Sequence, residues 1–243
     1  MKISDQIKNY VLATACIAGF GISNLQAQME IKDIISIGYV RPVGNMAAAN
    51  FDTSSSLGMT NGLHLGLRLE SGEESWFGGF VGLGINFHGT KKEFRNSWAK
   101  TYEPNVNPDL WKVTAGGGIV GDLSLGLNIN AAISDDICFK PFVSVGYNYA
   151  ALPNLELRTM DDELVYQEDY GSASGISFGW GALGNFKVFD TWVSLAYTGK
   201  TAFSLYDRTV SRPLLNETYT DPSAHVFTYQ EFTLGIDLAD IIL

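Results

Sequence analysis

Trp76-Phe77-Gly78-Gly79-Phe80-Val81-Gly82-Leu83-Gly84-Ile85-Asn86-Phe87-His88 changes character at nearly every step. Phe77, Gly79, Val81, Leu83, Ile85 and Phe87 fall on one side of an extended chain. Gly78, Phe80, Gly82, Gly84, Asn86 and His88 fall on the other. Successive side chains of a β-strand point to opposite faces, so the stretch reads as a strand with one greasy face and one small or polar face.

The same period of two recurs outward from this segment. Leu63, Leu65, Leu67 and Leu69 alternate with His64, Gly66, Arg68 and Glu70. Leu123 to Ile129 alternates with Ser124, Gly126, Asn128 and Asn130, and Phe139 to Tyr149 with Lys140, Ser144, Gly146 and Asn148. Ile176-Phe178-Trp180, Val193-Leu195-Tyr197 and Phe232-Leu234-Ile236-Leu238 continue it, and Ile35, Ile37 and Tyr39 make a weaker first copy. Eight strands are predicted, at about 33–41, 60–70, 76–88, 117–132, 138–150, 173–187, 191–202 and 224–239.

Connections alternate in length. Ser71 to Ser75, Ser134 to Ile137 and Val188 to Asp190 are short, whereas about 42–59, 89–116, 151–172 and 203–223 are long and polar. Short turns at one end and long loops at the other describe an up-and-down transmembrane barrel, with both termini on the short-turn side. The apolar face offers about four to six residues per strand, which suits a tilted membrane strand of about 9–11 residues. Trp76, Phe77, Phe87, Tyr147, Tyr149, Phe189 and Trp192 lie near strand ends, where membrane barrels place aromatic girdles.

The totals agree. Of 243 residues only 17% are charged and 26 are glycine, the net charge is −10, and no mature segment is apolar enough for a transmembrane helix. That acidity argues against a nucleic-acid binder, which usually shows a basic face. Residues 1–27 read as a secretory signal: Lys2 and Lys8, then the apolar Val11 to Ile22, then a cut after Leu25-Gln26-Ala27. Residues 28–243 are then a single barrel domain. Cys16 falls within the signal without a lipidation box of the right shape, which leaves Cys138 as a small hydrophobe on a strand.

The Gln26-Ala27-Gln28 junction, the glycine-rich Trp76 to Gly84 hairpin strand and the closing Phe232-Thr233-Leu234-Gly235-Ile236-Asp237-Leu238 resemble small outer-membrane β-barrel proteins of the Bacteroidota. More broadly they resemble OmpA/OmpX-type eight-stranded barrels. The resemblance implies residence in the outer membrane of a Gram-negative cell, contact with outer-membrane lipids and lipopolysaccharide, and insertion by the barrel-assembly machinery. The chain departs from the pattern at its end, where Leu238 is followed by Ala239 to Leu243 without a final aromatic residue.

Chemistry is thinly signalled, and no catalytic, cofactor-binding or metal-binding residue is assigned. Gly116-Gly117-Gly118-Ile119-Val120-Gly121 spells a dinucleotide-binding pattern, but alternation and not a helix follows it. His64, His88 and His225 lack zinc-site spacing. Asp161-Asp162-Glu163 with Glu168 and Asp169 makes an acidic loop, read as solvated with divalent-cation binding as the alternative. Asn216-Glu217-Thr218 has the letters of a glycosylation site and no meaning in a bacterium. The expected function is a non-enzymatic barrel displaying long extracellular loops. One alternative is a lipid-modifying enzyme using His225 near Asp221 and Ser223. Another is a soluble periplasmic lipocalin-like ligand-binding barrel. Inside a filled eight-stranded lumen, Arg68 is expected to pair with an inward acid such as Glu70, Glu231 or Asp237.

Overall fold

A computed structural model describes residues 31–51, 56–71, 75–102, 111–189 and 191–238. The expected signal at 1–27 and the tail at 239–243 lie outside the described residues. The strands are β1 (Ile31–Val43), β2 (Gly62–Ser71), β3 (Phe77–His88), β4 (Trp111–Ala115), β5 (Gly118–Ile129) and β6 (Ala131–Ser134). There follow β7 (Ile137–Ala151), β8 (Asn154–Thr159), β9 (Leu164–Asp169), β10 (Ser172–Val188), β11 (Thr191–Arg212) and β12 (Glu217–Asp237). One α-helix, α1 (Lys92–Tyr102), lies between β3 and β4.

Eight strands bond in the order β1-β2-β3-β5-β7-β10-β11-β12, and β12 returns to β1 from Ile34↔Asp237 to Val43↔Thr228. Every neighbouring pair in the ring is antiparallel. These eight strands fall on the eight intervals expected from alternation. The Gly116 to Gly121 run enters β5 and opens no helix.

Alternation decides which side of the wall each residue occupies. Val143, Leu125, Trp180 and Phe178 point outward and are 60%, 59%, 58% and 54% exposed. Ile35, Ile37, Leu65, Ile85, Leu195, Leu234 and others complete an apolar exterior around the barrel. A patch of this extent exceeds the few hundred Å² that soluble monomers carry. Backbone pairing is complete around the closed ring, which is what a hydrocarbon solvent requires of strands.

The inner wall is more mixed than a polar plug. Ile34, Phe80, Phe142 and Leu183 form an apolar layer across the lumen. Phe80 and Phe142 meet edge to face, with ring centroids 5.3 Å apart. Gly126 is small because of Phe80: a Cβ there would lie 2.2 Å from the ring. The alternation groups Phe80 with the polar face, and that face does line the lumen.

The long connections are not simple polar loops. The 203–223 stretch continues β11 and β12 as a hairpin paired from Phe203↔Val226 to Arg212↔Glu217. The 151–172 stretch holds β8 and β9, and 89–116 holds α1 and β4. The order β11-β9-β8-β4 extends the wall into a small sheet beyond one rim. These segments pair because they too alternate: Leu155 and Leu157 of β8 are fully buried, as is Glu168 of β9.

Candidate functional site: the lumen and its cap

Strand register gathers six of the barrel's buried charges into two clusters on either side of the Phe80–Phe142 layer. In the first, the Glu70 carboxylate accepts from Arg68 Nε at 2.9 Å, Lys140 Nζ at 2.6 Å and Asn185 Nδ2 at 3.3 Å. The Arg68 guanidinium also lies 3.6 Å from the Phe80 ring centroid and 4.7 Å from that of Phe142, so its charge meets two aromatic faces. The expected partnership of Arg68 with an inward acid is thus made by Glu70, two residues along the same strand face.

In the second cluster, Lys200 Nζ donates to Asp122 Oδ1 at 2.8 Å and lies 3.4 Å from Glu231 Oε2. Glu231 Oε1 also accepts from Asn86 Nδ2 at 2.9 Å. His64 Nδ1 is 2.7 Å from Asn86 Oδ1 and 3.2 Å from Glu231 Oε1. Both neighbours are acceptors, so Nδ1 carries the imidazole proton. Arg68, Lys140 and Lys200 face Glu70, Asp122 and Glu231 across the two clusters. Three cations meet three carboxylates, which is how charge becomes tolerable inside a narrow wall.

The space between the clusters is a cavity of about 70 Å³ lined by His64, Arg68, Phe80, Asp122, Lys200 and Glu231 among others. At roughly 30 Å³ per water it has room for about two waters.

Toward the sheet-bearing rim the lumen passes into an apolar core. Val40, Val120, Ala150, Ala202 and Phe227 of the ring meet Met46, Leu57, Met59, Phe94, Trp98, Leu155, Leu157 and Tyr170, all fully buried. This is a cap seated in the mouth of the barrel. Gly58 adopts φ +59°, and a Cβ there would lie 2.1 Å from the Phe94 ring, so glycine at this turn lets α1 sit down on the mouth.

Glu168 gathers several of the cap's polar side chains. Glu168 accepts from Trp98 Nε1 at 2.7 Å and from Arg208 Nε, while an Arg208 terminal nitrogen donates to the Tyr102 hydroxyl at 2.8 Å. Tyr102 stacks on Tyr166 at 4.2 Å. Burial, then the Glu168 charge, pushes the Tyr102 hydroxyl above the usual tyrosine range, so it stays a neutral acceptor for Arg208.

Residues singled out in the sequence do not assemble into a reaction centre. His225 is buried between Tyr206 and Phe227, at 6.4 and 4.8 Å between ring centroids. Its ring nitrogens bond neither Ser223 nor Asp221 among the described residues. His88 Nδ1 is 2.9 Å from the Thr60 carbonyl oxygen. The acidic loop does not converge either. Asp162 lies 3.4 Å from Lys112, Asp169 accepts from the Gly171 amide, and Glu168 turns into the cap. Among the described residues no group of three or more ligand-type side chains is arranged for a metal ion. Cys138 is buried on the inner wall and is not in a disulfide.

Sequence reading missed Lys200, Asp122 and the whole cap. A signal for the cap was present: Phe94, Trp98 and Tyr102 recur every four residues, which marks one face of a helix.

No protein-family profile matches the chain, and no curated protein matches it. Among solved structures it is similar to a major outer membrane protein from Thermus thermophilus, with a TM-score of 0.51 and 11% identity. That match covers 86% of this chain and 100% of the other. Ail, the attachment invasion locus protein of Yersinia pestis, gives a TM-score of 0.41 at 13% identity, over 86% of this chain and 98% of Ail. The chain has the fold of an outer-membrane β-barrel: eight antiparallel strands closed on themselves, apolar outside and ionic within.

Proposed function

We propose that the protein is an integral, non-enzymatic barrel of a Gram-negative outer membrane that holds a folded cap at the cell surface. The observation that carries this reading is the cap. Three long connections and the β11–β12 hairpin bury a continuous apolar core in the barrel mouth. The opposite end has only short turns, as at Ser134–Ile137 and Val188–Thr191. The extracellular part is therefore a shaped, rigid surface in place of four independent loops. Its partners in this reading are outer-membrane lipids and lipopolysaccharide, with the barrel-assembly machinery acting during insertion. The glycine-rich alternating strands suit the small Bacteroidota barrels that the sequence resembles.

The other readings lack their geometry. A lipid-modifying enzyme needs His225 in reach of a nucleophile and an acid, and its ring makes no such contact. A soluble ligand-binding barrel needs an apolar lumen and a charged exterior, the reverse of this one.

The hairpin tip tests the orientation. Leu214 and Leu215 are 56% and 64% exposed there, while the native Cys138 is 2% exposed. Leu214→Cys is expected to react on intact cells with a membrane-impermeant maleimide, with no labelling of the parent protein. Labelling only after the outer membrane is opened would place the cap on the periplasmic side and reject surface display.

A further inference from the structure

On β1, β12 and β2 the outward apolar residues give way to polar ones near the start of the cap, although Val226 of β12 and Phe203 and Leu205 of β11 are exposed farther along. On β1 the outward residues are Ile35, Ile37, Tyr39 and then Arg41; on β12 Phe232 is followed toward the cap by Gln230, and on β2 Leu63 by Asn61. Arg41 stands opposite Gln230 in the register, so a polar row replaces the apolar one at this level. Below it, Tyr39 and Tyr197 flank Phe232 across the sheet, and Trp180 lies 5.6 Å from Tyr197 between ring centroids. An aromatic stripe on the lipid side thus runs up to Arg41.

An open groove lies at the head of this stripe, lined by Tyr39, Arg41, Asn61, Lys91, Glu93 and Phe232 among others. Its two cations are unlike those of the lumen and the cap. Arg68, Lys140, Lys200 and Arg208 each face a carboxylate. Arg41 and Lys91 form no ion pair among the described residues, although the protein as a whole is strongly acidic. Lys91 is held in place by donating to the Ala47 carbonyl, which leaves two of its ammonium hydrogens for another acceptor.

We infer that this groove binds the phosphorylated sugar headgroup of an outer-leaflet glycolipid. Arg41 and Lys91 take the phosphate by charge-assisted hydrogen bonds, Asn61 and Glu93 take sugar hydroxyls, and Tyr39 and Phe232 pack on the acyl chains below. A sugar phosphate suits this mixture better than a simple phospholipid. The Glu93 carboxylate repels any phosphate but accepts from hydroxyls, which a sugar carries around its ring. The inference rests on the cap lying in the outer leaflet's headgroup layer, as proposed above.

The test uses the purified full-length barrel in nanodiscs or mixed micelles, with bisphosphorylated lipid A, enzymatically dephosphorylated lipid A and phosphatidylglycerol as probes. Two lost charge-assisted contacts should weaken binding of the bisphosphorylated lipid by about tenfold or more in Arg41→Gln/Lys91→Gln. Dephosphorylated lipid A should bind the parent protein at least about tenfold more weakly than the bisphosphorylated form. Arg41→Lys/Lys91→Arg should retain most of the affinity, and Lys112→Ala, a cap cation paired with Asp162 outside the groove, should leave it unchanged. Arg41 is exposed, so Arg41→Gln alone provides a folded variant should the double change fail to fold. Unaltered binding in the Gln variants overturns the proposal, as does equal binding of the dephosphorylated lipid. Phosphatidylglycerol binding as tightly as the bisphosphorylated glycolipid overturns the assignment of a sugar headgroup. Binding is measured on isolated protein, so these outcomes are separable from cell-surface labelling.

Discussion

Glu70→Ala is expected to destabilise the folded barrel by about 3–5 kcal/mol, the cost of stranding a buried charge partner. Glu70 is 1% exposed and receives hydrogen bonds from Arg68, Lys140 and Asn185. Its removal takes away the carboxylate that both cations share. Arg68 keeps its aromatic contacts, while the fully buried Lys140 loses its 2.6 Å contact with the Glu70 carboxylate. Unfolding of the purified barrel by urea in detergent, followed by tryptophan fluorescence, measures the loss. Pairing the change with Lys140→Met should restore part of it, because the second substitution removes a buried cation that has lost a carboxylate. Additive losses in the double variant would show that Glu70 and Lys140 do not stabilise one another.

Trp98→Ala acts on the cap and spares the ring. Trp98 is fully buried, packs 5.8 Å from Tyr102 and 5.5 Å from Tyr166 between ring centroids, and donates to Glu168. Truncating a buried tryptophan typically costs about 3–5 kcal/mol, and here the Glu168–Arg208 pair also loses its indole donor. The expected result is local opening. Amide exchange should rise in α1, β8 and β9 while β1, β2, β3 and β5 stay protected, and proteases should cut within 92–102 or 154–169. Uniform loss of protection around the whole ring would mean that cap and barrel unfold as one unit. Unchanged exchange would mean that Trp98 does not hold the cap.

The ring of strands was legible because a membrane wall imposes one rule on every strand. Each residue faces either hydrocarbon or lumen, and the period of two from Phe77 to Phe87 or from Leu123 to Ile129 reports that directly. The lumen's chemistry was half legible. Arg68 and Glu70 share one strand face, so their pairing follows from a spacing of two. Lys200 meets Asp122 only because β11 and β5 lie across the lumen from one another, a relation set by barrel closure and absent from local spacing. The cap was least legible. Its buried residues come from segments rich in charge, such as α1, where Phe94, Trp98 and Tyr102 sit among Lys92, Glu93, Arg95 and Lys100. Average polarity made those stretches read as loops, while their four-residue spacing carried the helix. The acidic run at 161–169 read as a solvated loop, yet it contributes β9: Asp162 lies by Lys112, Asp169 accepts from the Gly171 amide and Glu168 turns into the cap.

The most direct test of a closed barrel embedded in the outer membrane is electrophoretic migration with and without boiling, after separation of inner and outer membranes. A closed ring of eight strands resists detergent until heated. The protein should appear in the outer-membrane fraction, require detergent for extraction, and run faster unboiled than boiled. Recovery in the soluble fraction without detergent, with identical migration before and after boiling, would contradict the account.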